Sequence, residues 1–317
     1  MTQADPRDAG AEAGLSGASY AGTAGDDLLW TPGTAPDGTP WTAVPPGWVP
    51  EPEIAPPRPV VIRLDEVVKQ YPNGKHALID VDLVIPEGDF VFLVGPSGAG
   101  KSTLIKLLVR DEEATSGVVE VGGRDLARLP RRKVPELRRR IGIVFQDFRL
   151  LPRKSVRENV AFALEVTGAP RAHIDQTVDR LLALVGLSAQ ADQLPGTLSG
   201  GEMQRTAIAR AMAMKPDVLM MDEPYAALDA LTRRKMQDEL LQLWNDIRFT
   251  LVFVTHSIEE AVILGSRILV LSPHPGQVRA ELNSPGFSHD ARGSAEFQAL
   301  VQKISSMLFG NRATAAH

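Results

Sequence analysis

Phe90-Val91-Phe92-Leu93-Val94-Gly95-Pro96-Ser97-Gly98-Ala99-Gly100-Lys101-Ser102 is the stretch that decides the fold. Five apolar residues read as a buried strand, residues 95–102 fit G-x-x-x-x-G-K-[ST], and residues 103–109 read as an apolar helix. In a strand–loop–helix context the glycines let backbone N–H groups turn inward around an anion. The helix N-terminus adds partial positive charge at the same place. Lys101 is a point charge suited to the β- and γ-phosphates of a nucleoside triphosphate, and the Ser102 hydroxyl is suited to Mg2+. Gly95, Pro96, Ser97, Gly98, Ala99, Gly100, Lys101, Ser102 and Thr103 are therefore the expected phosphate-contacting residues. A dinucleotide loop of the G-x-G-x-x-G type describes the stretch less well, because it gives Lys101 and Ser102 no role.

Outward from this loop, short apolar runs at residues 60–64, 141–145, 218–221, 251–255 and 268–271 alternate with helical patterns. Near-continuous apolar strands separated by amphipathic helices predict an α/β fold with a mostly parallel sheet covered on both faces. Between about 147 and 215 the strand signal disappears, and three helices are expected at about 155–166, 172–184 and 200–214, a helical insertion into the core. The main domain is expected over 59–282, followed at 283–317 by a loop and an amphipathic helix from about 294 to 309. Residues 1–58 are rich in Pro, Gly and Ala and are expected to form a disordered tail, since they offer little apolar surface to offset ordering entropy. Trp30, Trp41 and Trp48 in that tail are read as chance residues in preference to anchors for a partner.

Composition bounds the rest. With 317 residues, 44% of them apolar, the chain can bury one large core or two ordinary ones. A net charge of −5 argues against general binding to nucleic acid. The absence of cysteine excludes disulfides and thiolate metal sites, and fits a reducing cytoplasm. No apolar run approaches the length of a membrane span, and the first residues have neither a basic region nor an apolar core of the secretory kind. A role at a membrane thus requires another chain.

Val218-Leu219-Met220-Met221-Asp222-Glu223 is an apolar strand that ends in two acids. Such a strand delivers its last residues to the carboxyl edge of the sheet, where the phosphate loop also lies. Asp222 is placed to hold Mg2+, directly or through water. Glu223 is placed to polarise an attacking water as general base. Alone the pair also fits an ordinary turn before Pro224; with the phosphate loop upstream the catalytic reading is preferred. Arg131, Arg132, Lys133, Arg138, Arg139 and Arg140 form a basic cluster, read as a solvated helix face in preference to a lipid-headgroup contact.

Leu198-Ser199-Gly200-Gly201-Glu202, followed by Gln204, resembles the signature of ATP-binding-cassette proteins, and it lies about 20 residues before Asp222 as in that family. It also has its own logic: Ser199 can cap a helix whose glycines leave backbone donors open to an anion. A capped helix start without a ligand is the plain alternative. Tyr71 resembles the aromatic that stacks on adenine, and Gln146 the glutamine that senses Mg2+ and water. Ala227-Leu228-Asp229 resembles the loop that crosses between subunits, and His256 the switch histidine at the γ-phosphate. Singly, Tyr71 also fits a core aromatic and His256 a satisfied loop histidine.

The resemblance spans about residues 60–282 and implies a nucleotide-binding α/β core with an antiparallel β flank and a helical subdomain. It implies ATP and Mg2+ as ligands, with Ser102, Gln146 and Asp222 on the metal. Glu223, His256 and Gln146 are then the catalytic residues. Tyr71, residues 95–103, Ser199, Gly200, Gly201, Glu202 and Asp229 are the nucleotide contacts. It further implies a head-to-tail homodimer, in which the signature of one copy completes the phosphate site of the other. An integral-membrane partner would hold that dimer on the inner face of the cell membrane.

Within the family the chain is a mosaic. Arg110-Asp111-Glu112-Glu113-Ala114-Thr115-Ser116-Gly117, Ile143-Val144-Phe145-Gln146-Asp147-Phe148-Arg149-Leu150-Leu151 and residues 155–168 resemble the cell-division ATPase FtsE. The run from Asp222 to Trp244, Thr255-His256-Ser257-Ile258-Glu259-Glu260-Ala261, Pro273-His274-Pro275-Gly276 and the last helix resemble the ATPases of nitrate, sulfonate and taurine importers. The FtsE-like reading, with an FtsX-like partner, is preferred because the segment after Gln146 is where the family's membrane subunit docks; an importer ATPase with a permease is the alternative. A soluble two-cassette relative is disfavoured by the single phosphate loop. A DNA-repair relative is disfavoured by the absence of coiled-coil and zinc insertions. A dead binding module is disfavoured by the intact Lys101, Glu223 and His256.

Overall fold

The computed structural model describes residues 58–309 except Ala227 and His274. The expected tail with its three tryptophans therefore lies, but for Arg58, outside the described residues.

Two sheets form the core. β3 (Phe90–Val94) is buried along its whole length. It pairs in parallel with β8 (Thr250–Thr255) on one side and β9 (Arg267–Leu271) on the other. β7 (Val218–Asp222) follows β8, and β6 (Ile141–Val144) follows β7, both parallel. β10 (Val278–Asn283) closes the far edge antiparallel to β9. The second sheet is antiparallel, ordered β2 (His76–Pro86), β1 (Val60–Gln70), β4 (Ser116–Val121), β5 (Arg124–Asp125). Its strands alternate: in β2, Leu78, Val81, Leu83 and Ile85 are buried between less buried neighbours. One face therefore packs inward and the other meets water.

The parallel sheet is covered on both faces, as its unbroken apolar strands require. On one side Val91, Leu93, Val252 and Val254 meet Leu104, Leu107 and Leu108 of α1 (Lys101–Leu108) and the inner face of the antiparallel sheet. On the other side Phe90, Phe92 and Phe253 pack at ring separations of 4.7 to 6.5 Å. They lie under Trp244 of α6 (Ala230–Ile247), residues of α7 (Ile258–Leu264), and Ile304 and Leu308 of α8 (Ala295–Phe309). Each such fully buried side chain contributes roughly 2 kcal/mol against solvent exposure.

The helical unit consists of α3 (Val156–Val166), α4 (Arg171–Leu184) and α5 (Gly200–Met212), around Val160, Leu164, Val178 and Leu181. Ser155 and Glu158 form a reciprocal cap at the start of α3. Asn159, fully buried on α3, accepts from the Leu151 N–H at 2.8 Å and donates to the carbonyls of Leu151, Lys154 and Ser155. It thereby shapes the chain that leads from β6 into the helices. In the basic cluster, Arg140 pairs with Asp217 at 2.6 Å, and Arg138 donates to the Val109 carbonyl. A short helix, α2 (Val134–Arg139), carries part of that cluster.

Register places the strand ends together. Val94 lies opposite Thr255, Asp222 opposite Val254, and Val144 opposite Met221. Gly95, Glu223, His256 and, two residues past β6, Gln146 therefore emerge at one edge.

Candidate nucleotide site

The loop after β3 turns through Gly98 at φ +80° and Gly100 at φ +83°, backbone that L side chains rarely adopt. The cradle is tight as well as strained. A Cβ on Gly100 would stand 2.5 Å from Leu78 Cδ2 and 2.8 Å from the Ala77 carbonyl oxygen. Gly276 closes the loop from outside: its N–H donates to the Ala77 carbonyl at 3.0 Å, and a Cβ there would meet the Ala99 carbonyl oxygen at 2.3 Å. α1 begins directly at Lys101, two residues earlier than expected, because Gly100 itself serves as the left-handed cap. Its first N–H groups consequently face the loop.

A cavity of about 240 Å³ opens over this cradle. Gly98, Gly100, Lys101, Ser102 and Thr103 line it, together with Tyr71 and Glu223. The Tyr71 hydroxyl lies 3.4 Å from Thr103 Oγ1, and Lys69 Nζ lies 5.1 Å from the Tyr71 ring centre. Tyr71 is thus a wall of the cavity with one ring face under a cation. Lys101 Nζ donates to the carbonyls of Gly95 at 2.6 Å and Pro96 at 3.1 Å, and stands 3.9 Å from Glu223 Oε1. Burial lowers the Lys101 pKa, opposed by the charges of Glu223 and Asp222.

Glu223 has an unusual backbone at φ +47°, pinned by its N–H to the Val254 carbonyl at 2.9 Å. Its Oε2 lies 3.2 Å from His256 Nδ1. Burial, with the neighbouring Glu223 charge second, raises the Asp222 carboxyl above the usual carboxylate range. A divalent cation beside Asp222 would relieve both causes. Among the described residues no group of three or more His, Asp or Glu side chains is placed to cage a metal. Mg2+ here would need oxygens from a nucleotide, the usual pattern for that ion. Ser102, exposed at the cavity, and Asp222 are a fitting donor set. Gln146 is exposed on the same edge and, like Asp222 and His256, is not part of the cavity wall.

The signature residues lie elsewhere. Ser199 caps α5: its Oγ accepts from the Glu202 N–H at 3.3 Å, while Glu202 Oε2 accepts from the Ser199 N–H at 2.8 Å and its hydroxyl at 2.7 Å. Those bonds hold the Glu202 carboxyl below its usual range, the backbone bond first. Asp229 caps α6, accepting from the N–H groups of Leu231 and Thr232 at 3.1 and 3.0 Å. Ser199, Gly200, Gly201 and Asp229 line a second cavity of about 550 Å³, which shares no lining residue with the first. Glu202 lines neither. The structure thus brings residues 97–103, Tyr71 and Glu223 together, and separates them from Ser199, Gly200, Gly201 and Asp229.

One network had no sequence signal. Glu260, buried on α7, accepts from the Thr255 hydroxyl at 2.7 Å and lies 3.8 Å from Arg233 Nε. Arg233 in turn donates to the carbonyls of Tyr225 and Leu228. The strand carrying His256 is thereby tied to the turn after Glu223. Burial raises the Glu260 carboxyl above the usual range, partly offset by the Thr255 bond. Only the tertiary fold reveals that this glutamate faces inward.

A phosphate cradle on the central parallel strand, faced by acids from a nearby strand end, defines a P-loop nucleotide-binding protein. Comparison with known proteins narrows the class. The ABC transporter pattern matches residues 78–226. The cell division ATP-binding protein FtsE of Mycobacterium tuberculosis is 47% identical over 214 residues, covering 67% of this chain and 93% of that one. The taurine import ATP-binding protein TauB of Roseobacter denitrificans is 43% identical over 218 residues, covering 68% and 78%. A solved dimeric ATP-binding cassette, in a post-hydrolysis state with ADP and Pi, superposes with a TM-score of 0.62 at 35% identity, covering 71% of this chain and 100% of that one. The chain belongs to the ABC transporter family, as one of its ATP-binding cassettes.

Proposed function

We propose that the chain hydrolyses Mg-ATP held between two head-to-tail copies and thereby drives an integral-membrane partner, in the manner of FtsE with an FtsX-like subunit. The observation that carries the sandwich is the separation of the two cavities. Phosphate cradle and signature are both formed, yet they share no lining residue. Each copy then offers half a site to the other. Lys101, presently bonded to its own loop carbonyls, is the cation for the β- and γ-phosphates. Glu223, fixed by the Val254 carbonyl, takes a proton from the attacking water, and His256, 3.2 Å from the Glu223 carboxylate, orients that carboxylate. Ser102, Asp222 and Gln146 would hold Mg2+, which would supply charge neutralisation at the phosphates. The Ser199 hydroxyl and the glycine N–H groups of α5 meet the partner copy's γ-phosphate.

Mixing two defective variants tests the sandwich. Lys101→Ala removes one phosphate site, and Ser199→Arg blocks one signature. Neither variant alone forms an ATP-dependent dimer; a one-to-one mixture forms one that holds a single ATP. A mixture that behaves as its components do refutes the shared site.

For the partner, support comes from the FtsE-like run at residues 143–151, which leaves β6 through the exposed Gln146 and Asp147, and from the 47% identity to an FtsE. An importer role is the second reading. The taurine importer relative and the run of residues 222–244, whose described residues include the end of β7 and most of α6, favour it. On either reading the cassette sits on the cytoplasmic face of the membrane. No described helix is long and apolar enough to cross a membrane; attachment through another subunit is part of this proposal. Co-purification with candidate membrane subunits distinguishes the two, and capture of an importer permease alone overturns the FtsE-like role.

A further inference from the structure

Away from the phosphate loop, a cleft of about 440 Å³ opens between the helical unit and the edge of the sheet where β7 begins. α4 contributes Leu181 and Leu184, the end of α5 contributes Met212, and the end of α6 with the following loop contributes Ile247 and Phe249. Leu184 and Ile247 are 41% and 42% exposed. Two large apolar side chains from separate elements thus leave surface at a single cleft. Its volume lies in the range of small-molecule pockets, which are mostly apolar with a few polar groups that fix orientation.

The polar groups here are both cations. Arg180 on α4 and Lys215 just past α5 line the cleft, and no carboxylate does. Of the acids near in sequence, Asp175 pairs with Arg171, Asp179 with Arg157 and Asp217 with Arg140, while Asp246 lines the adjoining cleft with Leu184 and not this one. Lys215 also holds a left-handed backbone at φ +49°, a conformation uncommon for a residue with a long side chain. An apolar trough with positive charge and no counter-charge in its wall selects for one kind of occupant.

We propose that this cleft binds an amphipathic monoanion, its aliphatic or aromatic body against Leu184, Met212 and Phe249 and its carboxylate or sulfonate at Arg180 and Lys215. The proposal is independent of how ATP is bound.

The probe is 8-anilinonaphthalene-1-sulfonate, titrated by fluorescence into the full chain with excess ADP present, so that the phosphate loop is not what is read. N-phenyl-1-naphthylamine serves as its uncharged counterpart. Two variants accompany the wild type. Arg180→Gln with Lys215→Asn removes both charges, and asparagine tolerates the left-handed backbone. Leu184→Trp fills the cleft from a half-exposed position. The expected result is one saturable sulfonate site per wild-type chain. The double charge variant weakens it at least tenfold, with the uncharged probe little changed, and Leu184→Trp abolishes both at an unaltered melting temperature. Absence of a saturable site, or equal sulfonate affinity in the wild type and the charge variant, overturns the proposal. So does self-association of the wild type that excludes both probes, which would make the cleft an interface between copies.

Discussion

Replacing Glu223 with Gln isolates the chemical step, because the surroundings of that side chain make the exchange nearly isosteric. The backbone at residue 223 is set by its N–H bond to the Val254 carbonyl at 2.9 Å and by φ +47°, neither of which depends on the side-chain charge. Gln keeps the volume and one oxygen toward His256, 3.2 Å away, so no cavity or clash is created. What disappears is the basic lone pair and a negative charge 3.9 Å from Lys101. Loss of a positioned general base lowers turnover by about 10² to 10⁴. At about 1.4 kcal/mol per decade this is roughly 3 to 5 kcal/mol of transition-state stabilisation. ATP binding and dimer closure need no base and persist. Phosphate release at saturating Mg-ATP is the assay, with gel filtration reading the dimer. Turnover should fall at least a hundredfold while an ATP-bound dimer accumulates. Turnover within tenfold of wild type would refute the assignment of Glu223.

Three further outcomes follow from the same geometry. Gly100→Ala places a methyl group 2.5 Å from Leu78 and 2.8 Å from a backbone oxygen, at a φ that costs an L residue about 1–2 kcal/mol; nucleotide affinity by calorimetry should drop at least tenfold. Asn159→Leu leaves the Leu151 N–H and the partly buried carbonyls of Leu151 and Lys154 without this partner, and urea denaturation should show a loss of about 3 kcal/mol. Asp222→Asn should abolish Mg-dependent turnover yet raise the melting temperature at pH 8. The sign follows from a folded-state pKa above the ordinary aspartate value: the folded state holds the proton more tightly, so Asp222 lowers stability as pH rises through its folded pKa. Melts below pH 4 should converge.

The parts of the fold legible in the sequence were those buried on both faces. β3, β7, β8 and β9 are unbroken apolar runs, and their bounds fall within a residue of where the sequence places them. Of the amphipathic strands, only the start of β1, at residues 60–64, was expected; β2 and β10 were not. β2 alternates through His76–Pro86, and β10 has no fully buried residue, so neither presents an apolar run. The single mostly parallel sheet expected from the runs thus gains an antiparallel strand, while the antiparallel flank implied by the family likeness is a separate sheet. In the candidate site, the phosphate loop was legible because loop and flanking elements are contiguous. The Ser155–Glu158 cap was legible in principle, since Ser-x-x-Glu stands at the start of an expected helix. The Arg233–Glu260–Thr255 link was not, because its members come from three elements and only packing makes Glu260 an interior residue.

The absence of any wall shared between the phosphate cavity and the Ser199 cavity has a kinetic consequence. On the proposed arrangement a lone cassette is an idle one. At dilution below its self-affinity, turnover per chain rises with concentration, and the total rises with its square. A membrane subunit that holds two copies side by side replaces that dependence with a fixed local concentration in the millimolar range, set by geometry. Fuel would then be spent mainly where the machine is assembled, with no separate inhibitor required.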